Sequence, residues 1–272
     1  LQAITRQLLA CGADIVEMNT IRKRLSEVKG GRFAAHCAPA GVQTIVLSDI
    51  LGDPPDMIAS GPAASDLSTC DEALKIAEKY DLQLSPAART CLGTETPRHL
   101  DNVQMQIIGS VRELCAAAAA QCRALGYEPL YLTDRLNCEA REAGRFLAAI
   151  ARSHANDGKK LAFIAGGETV VRLTGSGLGG RNQEIALAAA ENLSGLSNAA
   201  VISIGSDGTD GPTGAAGGYG GTQAALASAG WNIADALRQN DAYHALQTVN
   251  GLVHTGPTGT NVNDVAIALV GE

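Results

Sequence analysis

Glycine-rich loops placed directly after short apolar segments constrain this chain more than any other feature. Residues 161–165 form an apolar run that ends in Gly166-Gly167, and the run at 200–204 ends in Gly205. A segment with helical periodicity follows each of these loops. Short apolar runs that alternate with helical patterns are typical of α/β proteins, whose loops bring glycine backbone close to small ligands. We therefore expect an α/β fold.

Apolar periodicity predicts the individual elements. Helices are expected at 1–17, 71–80, 111–125, 139–155, 181–192, 221–229 and 231–246. Strands are expected at 44–47, 103–108, 129–133, 161–165, 168–173, 200–204 and 265–270. The turn formers Asn156-Asp157-Gly158 place a domain boundary between 1–155 and 156–272. Ligands of open α/β sheets bind beyond the carboxyl ends of strands, so the loops there are the expected site.

Charge and composition exclude several classes of partner. The 21 basic and 28 acidic residues give a formal net charge of −7. The chain has no basic cluster with interleaved aromatic residues, so its sequence argues against binding to nucleic acid. No apolar run reaches the roughly 20 residues that a membrane span needs. The seven cysteines include no CxxC pair, which favours reduced thiols in the cytoplasm. The chain opens at Leu1 in a helical pattern, and we expect it to lack an N-terminal part.

The loop at 205–213 carries the sharpest local signal. Asp207 and Asp210 stand three residues apart among glycines, after a predicted strand. Two carboxylates on such a loop can hold Mg²⁺ or bind sugar hydroxyls. An ordinary Asx-type turn is the alternative, since Asp and Gly dominate turns.

The loop at 175–180 matches G-x-G-x-x-G between a predicted strand and a helix. The preceding strand carries Arg172, and the next acidic residue after the following strand lies 27 positions beyond Gly180, so the pattern suits a dinucleotide poorly. A phosphate cradle at the helix N-terminus, with Arg181 as a cation in the first turn, fits better. A surface ion pair between Arg181 and Glu184 is the alternative.

The loop at 255–261 combines small hydroxyls with glycine, which suits a ligand loop and a plain turn equally well. The chain contains no G-x-x-x-x-G-K-[ST], G-x-S-x-G or H-E-x-x-H motif. A classical P-loop kinase site is therefore excluded for this stretch.

Taken in order, these motifs resemble the glycerate 2-kinase family, whose C-terminal region is the MOFRL domain. The resemblance spans essentially the whole chain. It rests on Asn19 and Arg22 through Gly31-Arg32, Ser48-Asp49 with Gly52-Asp53, Ala59-Ser60-Gly61-Pro62, Gly166-Gly167-Glu168-Thr169, Gly179-Gly180-Arg181-Asn182-Gln183-Glu184, Ser206-Asp207-Gly208-Thr209-Asp210-Gly211-Pro212-Thr213 and Thr258-Gly259-Thr260-Asn261-Val262-Asn263-Asp264.

The resemblance implies two α/β domains with mostly parallel sheets and an active site in the cleft between them. Residues 1–155 would be the remainder of a large Rossmann-like domain, and 156–272 the MOFRL-type domain. Members of the family phosphorylate glycerate at its 2-hydroxyl with ATP and Mg²⁺, and some relatives are labelled hydroxypyruvate reductases. The implied partner is a small-molecule substrate, and we expect no binding to nucleic acid or to a membrane. A homodimer is compatible with the sequence.

We assign roles as a hypothesis. Arg181, Asp207 and Asp210 are the expected catalytic residues, with the two aspartates binding Mg²⁺ or orienting the substrate hydroxyl. The expected nucleotide- and substrate-binding residues are Lys29, Gly30, Gly31, Asp49, Glu168, Gly177, Gly179, Gly180, Asn182, Glu184, Thr258 and Asn261. Lys29 would supply positive charge for the glycerate carboxylate.

Two departures from the family pattern bear on activity. Family chains carry a further N-terminal segment with a Gly-rich loop and an important Lys, so we expect this chain to be inactive alone although the parent protein is a kinase. The family's usual Gly-Pro-Thr-Asp-Ala-Ala-Gly has Gly214 at the Asp position here. An NAD(P)H-dependent hydroxypyruvate reductase and a non-catalytic sugar-acid or nucleotide-binding module remain the alternatives.

Overall fold

The computed structural model describes residues 1–221 and 223–271, which divide into two compact units. Unit 1 comprises Leu1–Val46 and Asp53–Ile108, and unit 2 comprises Leu47–Gly52 and Gly109–Glu272. The boundary predicted between 155 and 156 falls inside unit 2, because the strand before it pairs with the strand after it in one sheet. Compact units therefore divide near residue 109 and not at the turn 156–158.

Unit 1 is mainly helical. Its elements are α1 (Gln2–Ala10), α2 (Ile15–Arg24), α3 (Arg32–Cys37), β1 (Val42–Leu47), a 3₁₀ turn (Ile58–Ser60), α4 (Cys70–Lys79), α5 (Pro86–Leu92) and β2 (Val103–Gly109). Strands β1 and β2 pair with each other. The single helix predicted at 1–17 is wrong. Gly12 adopts a φ of 74°, and Asp14 then starts α2 through a capping box with Glu17.

Unit 2 contains a six-stranded sheet. Its elements are α6 (Val111–Ala124), β3 (Glu128–Leu136), α7 (Ala140–His154), β4 (Leu161–Gly167), α8 (Arg181–Asn192), β5 (Ala199–Gly205), β6 (Gly217–Gly220), α9 (Gln223–Ser228), α10 (Ile233–Arg238), α11 (Ala242–Thr248), β7 (Leu252–Val253) and β8 (Asp264–Val270). The strand order is β3-β4-β8-β5-β6-β7.

Strand directions in this sheet confirm the α/β class with one refinement. Within the described residues, β3, β4, β5 and β7 run in one direction, while β8 and β6 run in the other. Most strands therefore share a direction. Since β8 inserts between β4 and β5, only the β3–β4 pairing is parallel among the described pairs of the sheet.

Helices cover both faces of the central strands. Leu161, Phe163 and Ala165 of β4 pack with α7 and α8 on one face, and Ala162 and Ile164 pack with α6 on the other. This burial explains the uninterrupted apolar sequence of β4, because side chains alternate between two covered faces.

Helix α8 is buried on nearly all sides. Its residues from 182 to 190 are all buried, and α9, α10 and α11 pack on the side away from α7. Glycine on the neighbouring elements and alanine in α8 itself allow this close packing, because their side chains are small or absent. A Cβ on Gly144 would lie 2.2 Å from Ile185 O, and one on Gly220 would lie 2.2 Å from Ala186 O. The backbone of α8 is thus fixed closely against α7 and β6.

Several other predicted elements differ from those in the structure. The strand expected at 168–173 is wrong, because only Val170 forms an isolated bridge, with Glu139. The helix expected at 231–246 is two helices, α10 and α11, separated at Asn240 with a φ of 54°. Thr222, inside the helix expected at 221–229, lies outside the described residues. Helices α3 and α5 and strands β6 and β7 were not predicted.

Candidate active site

Three strands of unit 2 end or begin at one edge of the sheet. Strands β4 and β5 end there, and β8 begins there because it runs the opposite way. Glu168 follows β4, the loop with Asp207 follows β5, and Asp264 opens β8. A cavity of about 790 Å³ lies at this edge, and its lining includes Glu168, Gly177, Gly179, Gly180, Arg181, Glu184, Asp207 and Asp210.

Arg181, the first residue of α8, is held from two directions. Its Nε and Nη2 donate to the Asp264 carboxylate at 2.5 and 3.2 Å, and its Nη1 lies 3.3 Å from Glu168 Oε1. Burial lowers the pKa of Arg181, but the hydrogen bond and charge of Asp264 and the charge of Glu168 outweigh it and raise the pKa. The guanidinium therefore stays charged in the cavity, where a third of the side chain is exposed. The alternative of a surface ion pair with Glu184 does not occur, because Glu184 pairs with Arg141.

Asp210 caps helix α8 from a distant loop. Its Oδ1 accepts from the Asn182 amide at 3.1 Å, and its Oδ2 accepts from the Gln183 amide at 2.8 Å. Gly180 makes room for this carboxylate, since a Cβ there would lie 2.3 Å from Asp210 Cγ. Burial raises the pKa of Asp210 to about 6, although the two amides oppose the shift. The helix N-terminus is thus occupied by a protein carboxylate, as its dipole favours.

This cap changes the predicted phosphate cradle. The Gly177 amide donates to Gln239 O at 2.8 Å, and the amides of Asn182 and Gln183 are used by Asp210. Among the described residues, the amides of Gly179 and Gly180 donate to no protein acceptor. Of the predicted cradle, these two amides are the ones left for an anion in the cavity.

Asp207 has one oxygen engaged in a local turn, with Oδ1 accepting from the Thr209 amide at 2.9 Å. A Cβ on Gly205 would lie 3.2 Å from this oxygen and 3.3 Å from Asp264 Oδ1, so the two carboxylates flank Gly205. No group of three or more His, Cys, Asp or Glu side chains suited to a metal ion occurs within 1–221 and 223–271. Both Asp210 oxygens accept from amides at the start of α8, whereas Asp207 has one oxygen without such a bond. The metal role of the two aspartates stays a prediction.

The loop at 255–261 packs on the loop that follows β5. Thr258 Oγ1 donates to Ser206 O at 2.6 Å, and its amide donates to Asp207 O at 3.1 Å. Asn261 Oδ1 accepts from the Asn263 amide at 3.1 Å. Both predicted residues therefore shape the loop next to Asp207. Neither is part of the cavity lining in the described residues.

Two predicted binding residues on α8 serve the scaffold. Asn182 is buried, with its Oδ1 accepting from Ser203 Oγ at 2.6 Å and its Nδ2 donating to Asp210, so it faces the sheet and not the cavity. Glu184 borders the cavity, but its carboxylate accepts from Arg141 and Asn240. Burial raises the pKa of Glu184.

The predicted residues outside this cavity lie in two places. Asp49 belongs to unit 2, where its side chain is exposed and its carbonyl accepts from Asn263 Nδ2 at 2.9 Å. Lys29, Gly30 and Gly31 belong to unit 1. There the Lys29 Nζ donates to Ala59 O at 2.7 Å, and burial together with the charge of Arg22 lowers its pKa. The glycines adopt φ values of 60° and 79°.

The sequence prediction did not single out three residues that organise the site. Asp264 holds Arg181, Asn263 donates to Glu168 Oε2 at 3.3 Å, and Asn240 binds the loop before α8. Asn263 and Asp264 do belong to the motif 258–264 that carried the resemblance. The motif was therefore a sequence signal for Asn263 and Asp264. No pattern around Asn240 indicated a role for that residue.

Known proteins from bacteria and mammals are similar to this chain over nearly its whole length. It is 48% identical to "D-glycerate 2-kinase" of Thermotoga maritima over 99% of this chain and 66% of that protein. It is 40% identical to a "Putative hydroxypyruvate reductase" of Agrobacterium vitis, over 99% of this chain and 73% of the relative. It is 34% identical to "Glycerate kinase" of Macaca fascicularis, covering 97% of this chain and 81% of the relative. The chain belongs to the glycerate 2-kinase family.

Family models and a solved structure agree with this membership. A domain of unknown function (DUF4147) matches residues 1–93, and the MOFRL family matches residues 161–264. The crystal structure of glycerate kinase from Thermotoga maritima superposes with a TM-score of 0.95 over 99% of this chain and 66% of that one. The chain thus spans about two thirds of the length of that family member. None of the helices in the described residues has the length and apolar content needed to cross a membrane.

Proposed function

We propose that the protein containing this chain transfers the γ-phosphoryl group of ATP to the 2-hydroxyl of D-glycerate. The observation that carries the proposal is Arg181, which unit 2 holds charged and partly exposed in a cavity of a glycerate 2-kinase family member. Phosphoryl transfer depends on positioning and charge neutralisation more than on covalent chemistry by the protein. A fixed guanidinium meets that need.

Arg181 would contact the transferring phosphoryl group. A guanidinium has five N–H donors, of which Asp264 takes two, while Nη1 also faces Glu168. The remaining donors can reach phosphoryl oxygens without releasing Asp264. Fixed donors of this kind stabilise charge that develops in the transition state without reorganising. The free amides of Gly179 and Gly180 would bind the adjoining phosphates.

Asp207 would hold Mg²⁺, which when bound neutralises part of the phosphate charge. The donor set fits this ion because Mg²⁺ is commonly held by one or two carboxylates together with phosphates and water. The cavity lining also carries the carboxylates of Glu168, Asp207 and Asp210 against Arg181, while its fourth carboxylate, Glu184, is paired with Arg141. Such an excess of negative charge would repel ATP unless a divalent cation accompanies it.

In the same proposal, Lys29 contacts the glycerate carboxylate, and Gly30 and Gly31 shape the loop that carries Lys29. The protein is cytoplasmic in this proposal.

A hydroxypyruvate reductase is the second candidate, favoured by the name of the Agrobacterium vitis relative. Contacts of the G-x-G-x-x-G loop support it less well than the kinase. A Cβ on Gly175 or Gly177 would lie 2.3 or 2.4 Å from atoms of Gln239 or Asp241. These glycines therefore permit packing against protein backbone, whereas a dinucleotide fingerprint needs glycine to approach a pyrophosphate.

Paired assays on the complete gene product separate the two candidates. We expect ADP release from ATP that requires D-glycerate and is abolished by a chelator of divalent cations. Under matched conditions, hydroxypyruvate should give no oxidation of NADH or NADPH. Hydroxypyruvate-dependent oxidation of either nucleotide without glycerate-dependent ADP release would overturn the kinase proposal.

A further inference from the structure

The turn that separates α10 from α11 forms part of the cavity lining. Asn240 lies at its centre, is 5% exposed, and adopts a φ of 54°. Left-handed backbone at a buried residue other than glycine is uncommon and persists where surrounding contacts fix it. We call residues 239–241 the 239–241 turn.

The side chain of Asn240 binds the loop before α8 at three points. Its Oδ1 accepts from the amides of Thr174 and Gly175 at 2.7 and 2.9 Å. Its Nδ2 donates to Arg172 O at 3.1 Å. One carboxamide thus binds backbone groups of three residues in a segment that itself forms neither a strand nor a helix.

The neighbours of Asn240 continue this contact along the loop. Gln239 O accepts from the Gly177 amide at 2.8 Å, and Asp241 Oδ1 accepts from the Leu178 amide at 3.1 Å. Leu178 O accepts from the Tyr243 amide at 2.9 Å. The segment 172–178 therefore takes its shape from the 239–241 turn.

Asn240 also connects this loop to the helix that carries Arg181. Its Nδ2 donates to Glu184 Oε2 at 3.3 Å, and Glu184 Oε1 accepts from Arg141 Nε at 3.1 Å. Glu184 lies three residues after Arg181, which places the two side chains on one side of the helix. The loop and Arg181 are thereby held to a common scaffold.

We propose that Asn240 is a positioning residue of the phosphoryl-transfer site, fixing the 172–178 segment, and through it the Gly179 and Gly180 amides, relative to Arg181. The proposal rests on the proposed function for its kinetic consequence. Its structural part concerns the loop alone, so the two can be tested separately.

The chain offers a matched control. Asn250 has the same φ of 54°, but it is exposed, and its side chain makes no hydrogen bond to the described residues. The variants N240G and N250G both keep a residue suited to left-handed backbone. N240G alone removes the contacts to Thr174, Gly175 and Glu184. N240D keeps the acceptor for the two amides but places a second carboxylate beside Glu184.

Amide hydrogen exchange and steady-state kinetics on the complete gene product provide the test. We expect N240G to speed exchange at the Thr174 and Gly175 amides at least tenfold. Because misplacement of a positioned group can cost on the order of 10²-fold in rate, we expect a fall of that order in kcat/KM for ATP. The kcat/KM for glycerate at saturating ATP should change less. N250G should match the wild type in both measurements.

The double variant N240D/E184Q tests the link to α8. The side-chain amide introduced by E184Q can donate to the carboxylate introduced by N240D, and its carbonyl oxygen can still accept from Arg141. We expect the double variant to recover most of the kcat/KM for ATP lost in N240D.

Exchange in N240G equal to that in N250G would overturn the proposal whether or not the protein is a kinase. Faster exchange with unchanged kinetics for ATP would overturn the functional role of Asn240. A wild-type protein without kinase activity would refute the proposed function and, with it, that role, while the exchange result would stand.

Discussion

At the scale of single residues, the charged groups of the cavity are held by partners that are remote in sequence. Arg181 is paired with Asp264, 83 residues away, and Asp210 caps amides 27 and 28 residues away. Each charge is thus oriented by hydrogen bonds in the folded state and not by its own loop. Orientation of this kind makes similar charged residues poor replacements for one another.

Replacing Arg181 by lysine should separate charge from geometry. Lysine keeps the positive charge but cannot bind Asp264 through two donors while facing Glu168. We expect kcat to fall on the order of 10²–10³-fold, as for the loss of one fixed transition-state donor. Initial-rate measurements on R181K check this. R145K is the control, since Arg145 lies on α7 and pairs with Glu142 one turn away. Similar kinetics in both variants would contradict the role of Arg181.

Asp210 should make stability depend on pH in a defined window. Its pKa rises from the ordinary value of 3.8 to about 6 in the folded protein, so folding takes up a proton between these values. The stabilising contribution is complete below about pH 4 and is lost as pH rises through about 6. Urea unfolding from pH 4 to 7 should show the stability of the wild type relative to D210N falling over that window. A constant difference would contradict the assignment.

At the scale of elements, glycines decide how closely loops and helices approach at the site. Gly180 admits the Asp210 carboxylate to α8, and Gly211, with a φ of 62°, lies against Gly179 O. Gly208 would place a Cβ 2.0 Å from Gly256 O, where two loops meet. The density of glycine that marked these loops in the sequence thus reflects contact between protein backbones as well as room for a ligand.

Substituting Gly180 by alanine should destabilise the protein by displacing the cap of α8. The added Cβ would lie 2.3 Å from Asp210 Cγ, and overpacking of this kind costs roughly 1–3 kcal/mol. Gly214 is the control, since a Cβ there would meet nothing within 4 Å. Thermal and urea unfolding should show a clear loss for G180A and little change for G214A. Equal stabilities of the two variants would show that Asp210 does not need this space.

At the scale of the whole molecule, each unit has a core of its own. The core of unit 1 includes Leu8, Ile21 and Leu92, and next to it lies a buried ion pair between Lys23 and Asp66 at 3.2 Å. Asp66 also accepts from Thr96 Oγ1 at 2.8 Å. Burial opposes ionisation of Asp66, but the hydrogen bonds of Thr96 and Ser68 and the charge of Lys23 outweigh it and lower the pKa.

Removing Asp66 should therefore destabilise unit 1 more than removing a surface pair. The D66A variant leaves Lys23 and Arg24 buried with fewer partners, and such a loss costs roughly 3–5 kcal/mol. K79A removes the exposed pair of Lys79 with Glu17 and should have far less effect. Urea unfolding of both variants measures the difference. Equal effects would show that the buried pair adds no more than a surface pair.

Much of the fold could be predicted from the sequence. Helices α4, α6, α7 and α8 begin and end within one residue of the predicted bounds, because their apolar periodicity is regular. Strand β6 could not be predicted, since Gly217 and Gly218 carry no apolar pattern and belong to the sheet through pairing with Ile204 and Ser203 of β5. The false strand at 168–173 has apolar residues, but Val170 and Leu173 are exposed and border the cavity.

The site could be predicted in part, because some of its residues stand in local sequence patterns that indicate ligand loops. Glu168 and Asp207 stand on loops after the predicted strands at 161–165 and 200–204, and Arg181 follows the glycine-rich loop at 175–180. The structure places all three in the lining of one cavity. The cap that Asp210 forms depends on a contact between two loops that no local pattern specifies. The role of Asn240 likewise depends on how α10 and α11 pack on α8, which the one-dimensional sequence does not show.

The most direct test of the kinase account is the identity of the product. The complete gene product is incubated with ATP, Mg²⁺ and D-glycerate, and the phosphorylated acid is examined by phosphorus NMR. We predict 2-phosphoglycerate, formed by the wild type and reduced on the order of 10²–10³-fold in R181K. Phosphate carried on the 3-hydroxyl, or no phosphorylated acid at all, would contradict the account.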